Sequence, residues 1–96
     1  MEYINKVILR GIVGNVKGNG YFTRFTLVTN CYMEGDGATI CESTWHNILC
    51  LSGVDLEKGD EAEIEGRIRN QRYIDKDGND RYSVEIVTKS AKRLNR

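Results

Sequence analysis

Arg67, Arg69, Arg72 and Arg81, with Tyr73 and Tyr82 among them, put fixed positive charge beside flat rings within sixteen residues. Guanidinium groups neutralise phosphates and lie on π faces, and aromatic rings stack on other planar groups. Lys6, Arg10 and Arg24 add cations nearer the N-terminus. The formal net charge is zero, yet from Gly66 to Arg96 nine Lys or Arg stand against four acids, and the balancing acids cluster between Asp55 and Glu65. A neutral chain with that distribution carries a basic stripe. Its bland counterpart is an ordinary solvated face in which Glu63, Glu65 and Glu85 pair the cations.

Other chemistry finds less support. His46 is the sole histidine; it shares a strand face with Cys50, and two such groups without a third close a zinc site poorly. Asp75-Lys76-Asp77-Gly78-Asn79 starts like a calcium loop, but position six is Asp80 rather than Gly and position twelve is Ile86 rather than Glu. Gly14 to Gly20 lacks the Gly-Lys-Ser/Thr ending of a phosphate loop. No Ser/His/Asp or Cys/His arrangement is arguable with one inward-facing histidine. No enzyme, metal or cofactor is expected.

The elements that must hold these groups are strands. Lys58-Gly59-Asp60 is a turn opening a strand that alternates Ala62, Ile64, Gly66 and Ile68 with Glu61, Glu63, Glu65, Arg67 and Arg69. It continues through Tyr73 to a polar hairpin loop at Asp75–Asn79 and returns from Arg81 to Val87, with Tyr82, Val84 and Ile86 on one face. Earlier strands read as Ile4–Gly14, Tyr21–Asn30 and Thr44–Leu51, with a turn at Asn15–Gly20 and a loop over Cys31–Ser43 whose tip is Glu34–Gly37. Ser52–Glu57 has room for one helical turn at most, and Ser90–Arg96 reads as a basic tail. Ninety-six residues with ten Gly, no Pro and recurrent Val, Ile, Thr and aromatics suit a single all-β domain, 1–96. Five strands fit a small Greek-key barrel with a shortened or absent helix between strands three and four.

No apolar run spans a bilayer, and the N-terminus lacks the form of a signal peptide. Cys31, Cys41 and Cys50 form no CxxC pair and read as free thiols in a reducing cytosol, although Cys31 and Cys41 could bridge the loop in an oxidising medium.

Five ordered blocks then carry a likeness: Asn5-Lys6-Val7-Ile8-Leu9-x-Gly11, Phe25-Thr26-Leu27-Val28-Thr29, Thr44-Trp45-His46, Lys58-Gly59-Asp60…Glu65-Gly66-Arg67-Ile68-Arg69, and Asp77-Gly78-Asn79-Asp80-Arg81-Tyr82. Over residues 5–88 the chain resembles the bacterial single-stranded DNA-binding protein family. The resemblance implies an OB-fold, homo-oligomers (a dimer or a tetramer built as a dimer of dimers), and sequence-tolerant binding of single-stranded DNA in replication, recombination and repair, in the cytoplasm at the bacterial nucleoid. Of the family's stacking platform of three tryptophans and a phenylalanine, only Trp45 is kept. Tyr73 replaces a tryptophan, Met33 falls where another would stand, and Leu51 where the phenylalanine would. The sequence stops at Arg96 without the acidic C-terminal tail that in this family recruits other replication proteins, so recruitment of such partners is left open and a weaker or shorter footprint is expected.

The expected nucleic-acid contacts are therefore Trp45, Tyr73, Arg67, Arg69, Arg72, Arg81, Lys6, Arg10, Arg24, Met33 and Leu51. A lone Trp in a small barrel is core more often than platform, but the resemblance, with His46, Ile48 and Cys50 on the opposite face, favours Trp45 as an exposed platform. Tyr73 stays open between stacking and a cross-strand contact with Tyr82 or Arg81. Val7 and Leu9 on strand one form an edge suited to pairing between subunits, and the family likeness places His46 at that interface. Two other readings stand beside this one: an interaction protein of the primosome-accessory kind with weak DNA binding, and an OB domain for RNA or oligosaccharide.

Overall fold

A computed structural model describes residues 1–18, 21–35 and 38–94, with the backbone alone at 31–35 and 38–41. Strands β1 (Val7–Gly18), β2 (Thr23–Gly35), β3 (Ala38–Cys50), β4 (Glu61–Ile74) and β5 (Asp80–Arg93) close into a barrel in the order β1-β2-β3-β5-β4. Every pairing is antiparallel except β3 with β5. This is the expected five-stranded Greek-key arrangement, an OB-fold.

Alternation decides what goes inside. Thr23, Phe25 and Leu27 of β2, Ile48 and Cys50 of β3, and Ala62 and Ile64 of β4 are buried, while Arg24, Glu61 and Glu65 between them are exposed. Val13, Ile86 and Leu56 complete the core, and Val7 and Leu9 pack partly buried against it. Cys50 is a buried free thiol. The side chains of Cys31 and Cys41 lie outside the described residues.

Three boundaries differ from the sequence expectation. β1 starts at Val7 rather than Ile4 and runs to Gly18 through a register shift between Val13 and Val16, so most of the presumed turn is strand. The presumed loop over 31–43 is largely ladder, because pairing propagates from Asn30–Ser43 to Gly35–Ala38. The presumed basic tail is strand as far as Arg93, which pairs with Ala62 and helps close the barrel. Arg93 also forms an ion pair with buried Asp60 at 3.0 Å and donates to the carbonyl of Asp55.

Among the described residues no helix forms, and none is long and apolar enough to cross a membrane. Between β3 and β4 the chain instead bends, then turns at Glu57–Asp60, where Gly59 takes a φ of 95° that favours glycine. Gly59 N donates to Val13 O and Val13 N to Asp60 O, each at 2.8 Å. Thr23 Oγ1 donates to Ser52 O at 3.3 Å and accepts from Val54 N at 3.1 Å. Those bonds fasten the connection to the barrel without a helix.

One consequence of the topology places the site. Among the described residues β3 and β5 pair only over Ile48–Cys50 with Ile86–Thr88. Beyond that contact the β2–β3 and β4–β5 hairpins separate, and a cleft opens between them.

Candidate nucleic-acid interface

Cross-strand register shows which side chains share the outer face beside this cleft. Val28 lies opposite Trp45, Thr26 opposite Asn47 and Arg24 opposite Leu49. Leu49 then meets Val87 across the parallel contact. Val87 faces Arg67, Glu85 faces Arg69, Ser83 faces Gln71 and Arg81 faces Tyr73. Directly paired residues point to the same side, so Trp45, Tyr73, Arg24, Arg67, Arg69 and Arg81 sit on one continuous surface. Leu49 and Val87 are buried within it, outside the barrel core.

Trp45 is 61% exposed and so is not a core residue. Its seat is a glycine. A Cβ built on buried Gly14 would stand 2.8 Å from Trp45 Cζ3 and collide with Thr26 Oγ1, so the ring edge lies over β1 where only a hydrogen fits. Tyr73 is half exposed near the hairpin tip, and its register partner is Arg81, which resolves the cross-strand alternative in favour of the arginine.

Arg72 belongs elsewhere. It faces Tyr82 on the reverse of the hairpin, with Ile68, Ile74 and Val84, and binds Asp80 at 2.8 Å. Grouping it with Arg67 and Arg69 ignored strand parity, which turns successive residues to opposite sides. Lys6 and Arg10 lie on the β1–β4 wall, paired with Glu65 at 3.0 Å and Glu63 at 2.9 Å. Lys6 nevertheless lines a shallow hollow with Arg67, Lys89 and Lys92. Leu51, half exposed, stands just past the end of β3. The Met33 side chain lies outside the described residues. His46 is half-buried, faces inward opposite Leu27, and meets Thr29 Oγ1 at 2.9 Å through Nε2, a satisfied histidine. Among the described residues no three His, Cys, Asp or Glu gather as metal ligands.

Glu85 is the group that sequence reasoning undervalued. Its carboxylate is buried and accepts from Arg24 Nη1 at 2.9 Å and Arg69 Nη2 at 2.5 Å, bridging β2, β5 and β4. The arginines stay about half exposed, so the triad presents a net positive charge to solvent. The visible signal was an acid embedded in the apolar run Val84–Val87. Arg24 also approaches the Phe22 ring, 5.9 Å from its centroid. Among the described residues Arg67 alone of the seven expected cations shows no acidic partner.

Asp75 orders the hairpin tip. Its Oδ1 accepts from the Asp77 and Asn79 amides at 2.9 and 3.0 Å, and its Oδ2 accepts from Arg81 Nε at 2.7 Å. The Arg81 bond, then the backbone donors, hold its carboxyl below the ordinary value of 3.8. A depressed carboxyl stabilises above its unfolded value and loses that contribution as pH falls through the folded one. The tip is therefore expected to stay ordered at neutral pH and to loosen only below about pH 4, seen as collapse of the Asp77 and Asn79 amide shifts in an NMR titration. Shifts that move near pH 6 instead would contradict the assignment.

The sequence and the fold are matched by known proteins. The model of the single-strand binding protein family matches residues 4–94. The chain belongs to that family. It is a family of binding proteins, not of enzymes. The single-stranded DNA-binding protein of Xanthomonas axonopodis pv. citri is 32% identical over 104 aligned positions, covering 95% of this chain and 58% of that protein. That of Bacteroides thetaiotaomicron is 37% identical over 106, covering 95% and 66%. The chain spans about three-fifths of the length of the curated relatives it matches. Among solved structures, the Plasmodium falciparum SSB complex with ssDNA superposes with a TM-score of 0.83 at 20% identity, covering 99% of this chain and 98% of that one. A deletion mutant of the single-stranded DNA binding protein from Thermus aquaticus gives 0.77 at 20%, covering 96% and 51%. At such identities these two structures show the fold.

Proposed function

We propose that this chain binds single-stranded DNA with little regard to sequence and shields it during replication, recombination and repair, in the cytoplasm at the bacterial nucleoid. The observation that carries the reading is the exposed Trp45 ring sharing one face with Arg24, Arg67, Arg69, Arg81 and Tyr73. Rings stack on any base and cations follow the backbone, which gives affinity without a sequence code. The names of the curated relatives point the same way.

Trp45 is the sole tryptophan, so its emission reports the site. Titration with oligo-dT is expected to quench it, duplex DNA to quench it less, and salt to reverse it. Four face arginines at about 0.7 counterions each give a slope of log affinity against log salt of roughly −3. A slope near zero, or emission unmoved at low salt with no gel shift, would remove the proposal.

One observation favours a weak-binding, interaction-protein alternative: six of the seven expected phosphate cations already have carboxylate partners. Exposed pairs are worth about 0–1 kcal/mol, so those of Lys6, Arg10, Arg72 and Arg81 yield to a competing phosphate. Arg24 and Arg69, by contrast, hold the buried Glu85 and meet a phosphate only through their remaining donors. Pairing therefore lowers affinity without abolishing it.

We further propose that the protein is a dimer or a tetramer. Over Val7–Gly11 β1 pairs with β4 on one edge and with nothing among the described residues on the other, and Ile8 and Ile12 are exposed outward. Free edges recruit strands. In this arrangement Val7 and Leu9 contribute backbone while their side chains stay in the core, and His46 takes its place near the contact. A light-scattering mass equal to one chain would refute it.

A further inference from the structure

We propose that the cleft between the two hairpins is a subsite for a single unstacked nucleobase, read along its hydrogen-bonding edge. The inference rests on the single-stranded DNA reading but adds to it a base preference, which stacking and phosphate contacts do not supply.

The cleft has a volume of about 310 Å³, at the lower end of the range for small-molecule sites. Its floor includes the buried Phe25 and Ile48 and is apolar. Its walls carry Asn47 from β3, Gln71 from β4 and Ser83 from β5, with Thr26 nearby. The side-chain amides of Asn47 and Gln71 form no hydrogen bond among the described residues, and each offers both donors and acceptors. Lys17, Arg24 and Glu85 also line the cleft; Glu85 is committed to Arg24 and Arg69, while Lys17 shows no acidic partner among the described residues and can take the phosphate beside a base held by the neutral groups.

The backbone adds to this. Among the described residues, β3 before Ile48 pairs only with β2, and β5 before Ile86 pairs only with β4. Each strand therefore turns an unpaired edge of N–H and C=O groups toward the opening. Asn47 stands two residues from Trp45 on the same face of β3, so a strand with one base on the indole brings a neighbouring base to the cleft. An apolar floor with convergent amide, hydroxyl and main-chain groups suits a flat heterocycle, its adjoining phosphates lying toward Lys17 and the face arginines.

The test compares same-length oligo-dT, oligo-dA, oligo-dC and a fully abasic phosphodiester oligomer by anisotropy, for wild type and the double variant Asn47→Ala/Gln71→Ala. Both positions are exposed, and circular dichroism checks that the variant folds. Wild type is expected to separate the three homopolymers by at least severalfold. The variant should shrink that spread threefold or more while leaving abasic binding and the salt slope unchanged. Equal loss on the abasic oligomer, or an unchanged spread, overturns the subsite and leaves general binding standing. If wild type binds no oligomer at low salt, the underlying functional reading has failed.

Discussion

Replacing Trp45 by alanine is expected to raise the dissociation constant for oligo-dT about tenfold or more, and Trp45→Phe to restore part of the loss. A base stacked on an aromatic platform contributes about 1–3 kcal/mol by alanine substitution. Trp45 is mostly exposed, so its removal leaves no core cavity, and the loss should appear in affinity rather than stability. Gly14→Ala gives a second arm that keeps the ring. The added methyl would meet Trp45 Cζ3 and Thr26 Oγ1 well inside contact distance, and Thr26 Oγ1 already accepts the Asn15 amide at 3.1 Å. The ring must therefore tilt off β1, shifting the emission of the free protein and weakening binding together. Titrations of both variants check this. Unaltered oligo-dT affinity in Trp45→Ala would exclude the indole as a platform, whatever the rest of the face does.

How far the site was legible varies along the chain. The β4–β5 hairpin declared itself because β4 opens on period-two alternation: Ala62 and Ile64 are buried, and Glu61 and Glu65 are exposed. Trp45 was readable largely through the family resemblance, because parity alone does not decide it: Ile48 and Cys50 on the opposite face are buried, and so is Leu49 on its own. Alternation fails over the Gly- and Asn-rich stretches of β1 and at 31–43. There the ladder is imposed by strands already aligned, not by local preference. The basic end of β5 read as a tail because Lys92 and Arg93 look solvated. Yet Ala62–Ile64 needs a partner to close the barrel, and Arg93 has Asp60 waiting. Charge counts located the basic stripe but not its pairing. Arg24 and Glu85 are 61 positions apart, and only the closed barrel brings them to 2.9 Å.

Gly66→Ala is expected to destabilise the fold by about 3 kcal/mol or more, the upper range for forcing atoms into a packed interior. Gly66 lies where β4 leaves β1 and continues with β5 alone, beside a register shift between Ile64 and Gly66. A Cβ there would fall onto the carbonyl oxygen of Val87, and one at Gly11 onto that of Val28, both far inside 3.0 Å. These obstacles are backbone, and Val87 is held between β4 and β3. It cannot step back without opening the closed sheet, whose strand spacing is fixed by hydrogen bonds on both sides. Domains of this size are stable by about 5–15 kcal/mol, and each kcal/mol moves the melting point by roughly 4–8 °C. Gly66→Ala should therefore melt at least about 12 °C below wild type in a circular dichroism scan. Gly59→Ala is the control: its φ of 95° strains alanine, but nothing lies within 4 Å of the new methyl. Its cost should stay near 1 kcal/mol. A Gly66→Ala protein that melts with wild type would mean that β4 and β5 do not approach as closely as barrel closure requires, and the shared face of Arg67, Arg69 and Trp45 would go with it.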